Sequence, residues 1–284
     1  MHDNTKYISN ITFVIFTFNE ENRIDRVIRN FKDFGRILVA DNKSTDKTVE
    51  IAQKYGCDIL IREEHFDYVE NQKMLDLIYK NIETDWIYWG FADEMLDLET
   101  LLEIKKVIDS GQFDIISIDR KNYYYGKFCY DAFSSRTNKI FKAGSIDFSD
   151  NKIHGFGKTT VPINKIFKLQ DKYFVHHFIS NTAKSYLKTI DSYTDTETRF
   201  SEKPNMNLFF PIVILCGLLI KQFILKKGYK AGFPALQLTL LFAVYYIIKN
   251  MKLYESTNDL CVENIEAINN KTRNNIIEST YYKK

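Results

Sequence analysis

Along the N-terminal third of the chain, apolar positions switch between a strand-like and a helical period. Ile11–Phe18 (ITFVIFTF) is a short β-branched and aromatic run, which predicts a buried strand. Ile24, Val27, Ile28, Phe31 and Phe34 follow at helical spacing, with Asn19 as the expected cap, Glu20 and Glu21 in the first turn and Gly35 at the end. Arg36–Ala40 predicts a second strand. The next helix is expected to be capped by Ser44 or Thr45, to bury Val49, Ala52 and Tyr55, and to close at Gly56. Asp58–Ile61 predicts a third strand, residues 69–81 a helix, and Trp86–Trp89 (WIYW) a fourth strand.

Short strands alternating with helices of this length imply βαβ units and a mostly parallel sheet flanked by helices, a Rossmann-like α/β fold. Ligands of such sheets bind at the carboxyl ends of the strands. The loops expected there are Thr17–Glu21, Asp41–Asp46, Arg62–Asp67 and Gly90–Asp97. A helix near Leu98–Ile108 and a strand Phe113–Ile118 continue the pattern. Residues 120–172 read as mixed strands and loops on an acceptor side, and Thr182–Phe200 as a polar amphipathic helix.

The pattern then changes. Leu208–Ile220 is unbroken apolar sequence, and Ala231–Ile248 is interrupted only by Gln237 and Thr239, with the basic linker Lys226–Lys230 between them. A spanning helix needs ~20 apolar residues, so each run sits at the lower limit. A trans-bilayer hairpin, an interfacial dip and two helices packed in protein are all compatible with it. Short runs interrupted by Gly and Pro favour membrane association without full spanning. The Asn-rich residues after Glu255 read as a loosely ordered polar tail. The expected organisation is a catalytic domain over 1–205, with halves 1–110 and 111–205, then apolar helices over 206–253 and a tail over 254–284.

Composition narrows the class. With 39 Lys+Arg against 37 Asp+Glu in 284 residues, the net charge of +2 is too balanced for bulk nucleic-acid binding. The cysteines, Cys57, Cys129, Cys216 and Cys261, lie far apart without a CxxC pair, which argues against a zinc ribbon or disulfide framework and for a reducing compartment. The start, MHDNTKYISN, lacks the apolar core of a signal peptide. The expected location is cytoplasmic, peripheral or monotopic on the inner face of the cell membrane.

Two groups of residues carry candidate chemistry. Thr17-Phe18-Asn19-Glu20 and Asp41-Asn42-Lys43-Ser44-Thr45-Asp46 each follow a predicted strand. A carboxylate at such a strand end can accept from a nucleobase or ribose, and the next helix N-terminus favours phosphate. Ordinary turn chemistry uses the same residues, so the pair at matched strand ends is the signal rather than either alone. Phe91-Ala92-Asp93-Glu94 follows the fourth strand, where a carboxylate can ligate Mg²⁺ or Mn²⁺ bridging two phosphates. The competing reading is a helix first turn decorated with acids.

FVIFTFNEENRI, ILVADNKSTDKTVEIA and WIYWGFADEML together resemble glycosyltransferase family 2 with its GT-A fold. Within it they resemble the lipopolysaccharide-core and capsule glucosyltransferase branch, as do Tyr123–Gly126, Lys139–Gly144, His154-Gly155, His177-Phe178 and the paired apolar runs around GYKAG. The resemblance implies a nucleoside-diphosphate donor, UDP-linked, and a cell-envelope glycan or lipid-linked acceptor at a membrane surface, with transfer inverting and metal-assisted. It implies that Asp41 holds the base, that Thr17, Asn19, Glu20 and Ser44 line the nucleotide pocket, and that Lys73 lies near base or phosphates. It makes Asp93 the metal ligand, Glu94 its support or a contact to the donor sugar, and His177 a second ligand. Two positions depart from the family. Phe91 replaces an acid of the metal motif, and Gly155 replaces the carboxylate of a candidate base, which leaves His154, Asp131 and Asp147 for that role. These departures support a second reading, a catalytically degenerate nucleotide-sugar-binding or scaffold protein of a glycan-assembly complex. A nucleotidyltransferase is disfavoured, because no Gly-rich, Lys/Arg-bearing phosphate loop follows the first strand. A homo-oligomer is left open.

Overall fold

The computed structural model describes residues 10–62, 69–151, 155–199 and 203–281. Its elements run β1 (Ile11–Thr17), α1 (Ile24–Phe31), β2 (Arg36–Asp41), α2 (Thr48–Lys54), β3 (Asp58–Ile61), α3 (Gln72–Tyr79), β4 (Trp86–Phe91), β5 (Glu94–Leu96) and α4 (Leu98–Asp109). There follow β6 (Ile115–Tyr124), β7 (Lys127–Phe128), β8 (Ser135–Lys142), β9 (Ile146–Asp147), β10 (Lys158–Thr159), β11 (Ile166–Lys168) and β12 (Phe174–Ile179). Helices α5 (Ala183–Thr198), α6 (Phe210–Leu218), α7 (Phe233–Thr257) and α8 (Val262–Tyr281) complete the chain.

The main sheet has the order β3-β2-β1-β4-β8-β6-β12-β5, with β7 and β11 also on β6. Strands β3, β2, β1 and β4 are mutually parallel, and β8 enters antiparallel between β4 and β6. All seven residues of β1 are buried, as an apolar run covered on both faces requires. On one face Ile24, Val27, Ile28 and Phe31 of α1 pack with Leu101 and Ile104 of α4, and on the other Met74, Leu75 and Ile78 of α3 close the core. Phe13 stacks on Phe31 with ring centroids 4.5 Å apart. Gly35 separates α1 from β2 because a Cβ there would lie 2.5 Å from the Ile11 carbonyl oxygen.

The described chain forms two compact units, one reaching Ser180 and including Lys226–Ala235, the other made of Asn181–Leu225 and the residues from Leu236 onward. In the second, Lys252 of α7 pairs with Asp191 (2.7 Å) and Asp195 (2.6 Å) of α5, and Lys249 pairs with Glu197 (2.7 Å). The apolar runs are helical: α6 continues through π-type turns over Leu219–Leu225, and α7 is the one helix among the described residues long and apolar enough to cross a membrane.

The expectation of a loose tail fails. Residues 262–281 form α8, with Arg273 Nη1 2.6 Å from Glu266. Polarity says little against a helix whose hydrogen bonds are local, and Ile265 and Ile268 recur at helical spacing. The mixed segment after Ile118 also proves more regular than its composition implies, since β6 runs on to Tyr124 and supplies Arg120 and Asn122.

Candidate active site

The site is assembled at the carboxyl ends of β1, β2 and β4. Thr17 pairs with Asp41 across β1 and β2, and Phe16 pairs with Phe91 across β1 and β4. Asp41 and the loop carrying Asp93 therefore sit at the same edge of three adjacent strands. A cleft of about 290 Å³ lined by Arg36, Asp58 and Lys80 lies at the other edge, where these strands begin.

Asp41 is fully buried. Its Oδ1 accepts from the Thr17 hydroxyl (2.8 Å) and the Ser44 hydroxyl (2.6 Å), and its Oδ2 accepts from the Ser44 N–H (2.7 Å). The two loops are tied together. Asn19 N–H donates to Ser44 Oγ and Asn19 Oδ1 accepts from the Thr45 N–H, both at 2.8 Å, while Glu20 N–H donates to Thr48 Oγ1 at 2.7 Å. Asn19 (φ 54°) and Lys43 (φ 57°) take the left-handed backbone that lets the loops turn over the strand ends.

These bonds correct the expected caps. Helix α1 starts at Ile24, so Asn19 caps nothing and instead joins loop to loop. Helix α2 starts at Thr48, where Asp46 Oδ1 accepts the Thr48 N–H (3.0 Å), so neither Ser44 nor Thr45 is its cap. Short polar side chains after a strand can serve their own helix or a neighbouring loop, and here Asn19 and Ser44 bond from loop to loop.

Arg62 follows β3 and was not singled out in the sequence. Its N–H donates to the Asp41 carbonyl (2.8 Å), and its buried guanidinium lies 5.6 Å from the Phe16 ring. Nη2 reaches the Thr17 carbonyl only at 3.5 Å, and Nε has no hydrogen-bond partner among the described residues. A buried cation with an unmet donor is expensive unless a ligand meets it.

The second half of the site follows β4. Asp93 Oδ2 lies 3.3 Å from His177 Nε2. Burial raises the Asp93 carboxyl, but the His177 hydrogen bond and charge, with Arg120 and Arg23, outweigh it and hold the pKa at about 2. Burial in turn lowers His177, against the opposing pull of Asp93. Glu20 is raised, by burial first and then by the negative charges of Asp93 and Asp46, against its pairing with Arg23 at 2.5 and 2.7 Å. Glu20 and Arg23 thus share the electrostatic field of Asp93.

The tautomer of His177 follows from its neighbour. Asn122 Nδ2 donates to the Phe133 carbonyl (2.8 Å), which turns Asn122 Oδ1 to His177 Nδ1 at 2.6 Å. Nδ1 therefore carries the proton of the neutral ring, whose Nε2 accepts from Arg120 Nη2 at 2.6 Å; the protonated ring instead donates from Nε2 to Asp93. The adjacent His176 points the other way, to the Tyr123 hydroxyl (2.9 Å) and Asp97 (3.4 Å), as alternation along a strand requires.

Glu94 is turned inward. It is fully buried, with Lys139 Nζ 2.6 Å from both oxygens, Arg120 Nε at 3.0 Å and the Tyr88 hydroxyl at 3.3 Å. Its carboxylate is engaged by two cations, a place that fits it to hold Arg120 rather than to touch a metal or sugar. Phe91 has a matching role, since Lys139 Nζ lies 5.0 Å from its ring centre.

Of the other candidates, Lys73 is exposed on the first turn of α3 and His154 lies outside the described residues. Asp131 pairs with Lys121 (2.9 Å), on the face of β6 opposite Arg120, and Asp147 accepts the Ser149 N–H (2.7 Å). Among the described residues, no three His, Cys, Asp or Glu side chains form a metal cage. Asp93 and His177 Nε2 nevertheless offer one oxygen and one nitrogen at adjacent positions. That pair fits a divalent ion completed by phosphate oxygens and water.

A mostly parallel sheet with a buried carboxylate at the end of β2, and with Asp93 after β4 paired to His177 of β12, has the layout of a GT-A fold. Residues 12–166 match the family described as glycosyl transferase family 2, and the chain belongs to that family. It is 25% identical over 261 residues, 86% of each chain, to an uncharacterized glycosyltransferase of Rickettsia bellii (strain RML369-C). Among solved structures it resembles S. aureus TarS 1-349 in complex with UDP (TM-score 0.44, 16% identity, 79% of this chain and 75% of that one). It also resembles the mannosyltransferase PcManGT from Pyrobaculum calidifontis in complex with GDP-Man and Mn²⁺ (TM-score 0.48, 12% identity, 87% and 88%). The family match carries the assignment; these partial superpositions do not.

Proposed function

We propose that this glycosyltransferase moves a sugar from a UDP-sugar to a cell-envelope glycan or lipid-linked acceptor, with inversion and with the help of Mg²⁺ or Mn²⁺. The observation that carries the reading is the shared strand edge of Asp41, with Arg62 beside it, and the Asp93–His177 pair.

Each residue has a separable task. Asp41, oriented by Thr17 and Ser44, accepts from the N–H of the base, and Arg62 meets a base carbonyl with its Nε donor, which has no partner among the described residues. Asn19 and Glu20 hold the loop that covers the nucleotide. Asp93 and His177 Nε2 would hold the divalent ion, with the His177 tautomer set by Asn122. When bound, that ion neutralises charge on the departing diphosphate. The acceptor hydroxyl attacks the anomeric carbon from the opposite face as the bond to the diphosphate breaks, and its proton passes to a base. His154 is retained as the candidate base. Positioning and fixed charge supply most of the acceleration.

Membrane association belongs to the same proposal. Leu208 (91% exposed), Phe209, Ile212, Val213, Ile220, Ile224 and Leu225 present apolar surface along one segment, and Lys221, Lys226, Lys227 and Lys230 follow within and after it. That composition supports a chain lying on an anionic leaflet.

Phe91 and Gly155 support the second reading, a donor-binding scaffold without turnover. Release of UDP from UDP-sugars with Mn²⁺ decides between them. Slow release that vanishes in Asp93→Ala supports the enzyme. Tight UDP binding with no release under any metal or acceptor supports the scaffold.

A further inference from the structure

Arg120 is the charged group of the site that the proposed chemistry leaves without a task. Its guanidinium stands between two acids and the imidazole. Nε lies 3.0 Å from Glu94 Oε1, Nη2 lies 2.6 Å from His177 Nε2, and Asp93 Oδ2 lies 3.3 Å from that same nitrogen. The side chain is 32% exposed, in contrast to the fully buried Glu94 beside it.

Two details give the arrangement a direction. First, the His177 lone pair that would ligate a metal is the same one that accepts from Arg120, because Nδ1–H is committed to Asn122. Arginine has five donors and no acceptor, so it can cap that lone pair but never share it with a cation. Second, Arg120 Nε is close to Glu94 yet has no aligned hydrogen bond. At Glu94 the guanidinium is thus held by charge rather than by a directed bond, so that once the Nη2 bond to His177 breaks it can pivot about Glu94. Glu94 stays in place because Lys139 grips both its oxygens.

We propose that Arg120 stands in for the divalent ion at His177 Nε2 in the free site, and that on metal entry it turns its Nη donors to the diphosphate of the donor. The inference rests on the nucleotide-sugar reading above. It gives the leaving group a second positive partner, fixed to the protein, on a strand edge where Phe91 has removed one of the family's acids. A planar fork suits bidentate contact to phosphate oxygens. Glu94 and Lys139 act as positioning residues for Arg120.

The test uses the full chain and two ligands. Calorimetric titration with MnCl₂, without nucleotide, is expected to show about tenfold tighter binding to Arg120→Met than to wild type, because a competing donor and a like charge are gone. With saturating Mn²⁺, the same variant is expected to bind UDP about tenfold more weakly, with its uridine affinity unchanged. Arg120→Lys, which keeps the charge but cannot span to His177 as a fork, is expected to fall between wild type and Arg120→Met in both measurements. It carries the comparison with wild type by itself if Arg120→Met does not fold. Mn²⁺ and UDP affinities equal to wild type in folded Arg120→Met, or in Arg120→Lys where that variant stands alone, overturn the assignment of Arg120 and leave the transferase reading intact. A wild-type chain that binds neither UDP nor Mn²⁺ overturns both.

Discussion

Thr17 donates its hydroxyl proton to Asp41 at 2.8 Å across the ends of two parallel strands, 24 residues apart in sequence. The bond fixes a carboxylate that solvent does not reach, and the Ser44 hydroxyl and N–H complete its shell. A buried acid held by three donors, beside a buried arginine, carries a desolvation cost that those hydrogen bonds offset.

Asp41→Asn keeps the shape of the side chain but sets an amide against donors from Thr17 and Ser44. The expected outcome is a loss of stability of roughly 1–3 kcal/mol in urea unfolding. Uridine affinity is expected to fall by about tenfold or more. Stability that drops while uridine affinity holds would place the base elsewhere.

Glu94 and Lys139 form a pair that solvent barely touches. Removing one partner strands a buried charge, and Glu94→Leu alone is expected to cost roughly 3–5 kcal/mol. Glu94→Leu with Lys139→Met is expected to recover most of that loss, because the pair repays little beyond its own desolvation. Chemical denaturation of the two variants checks this, and activity should stay low in both, since Arg120 loses its anchor.

The strands around β1 were legible because a run buried on both faces needs no alternation, and ITFVIFT and WIYW have none. Convergence of Asp41 and Asp93 then follows from parallel order, since both trail strands that pair with β1. The cations were not legible. Arg62 and Lys139 look like any surface base until tertiary packing buries them, and Arg120, which stays partly exposed, is marked only by its contacts to Glu94 and His177. Glu94 was misplaced for the same reason, since neighbouring acids after a strand give no sign of which one turns inward. The Asn19 and Ser44 caps were misread because loop-to-loop bonds span 25 residues or more.

Cysteine chemistry offers a pH test. Burial, then the charge of Asp58, pushes the Cys57 thiol up to about 11, and burial raises Cys129 as well. The folded chain therefore keeps these protons where the unfolded chain loses them, so their contribution to stability is complete below about pH 8.5 and fades as pH rises toward 11. Iodoacetamide labelling at pH 8.5, read by mass spectrometry, is expected to modify the exposed Cys216 and Cys261 before Cys57 and Cys129. Early modification of the half-buried Cys57 would contradict its raised thiol pKa.

Membrane association predicts salt-sensitive binding to vesicles containing phosphatidylglycerol. Replacing Lys221, Lys226, Lys227 and Lys230 by Gln is expected to weaken binding by roughly 1 kcal/mol for each residue near the surface. Equal binding to neutral and anionic vesicles would remove the electrostatic part of the proposal.

The most direct measurement is a crystal structure of the chain with UDP and Mn²⁺, the metal located by its anomalous signal. The account predicts the uracil against Asp41, Thr17 and Arg62, and the manganese peak between the diphosphate and the Asp93–His177 pair. A nucleotide bound at another face of the sheet, or a manganese peak away from Asp93, would contradict it.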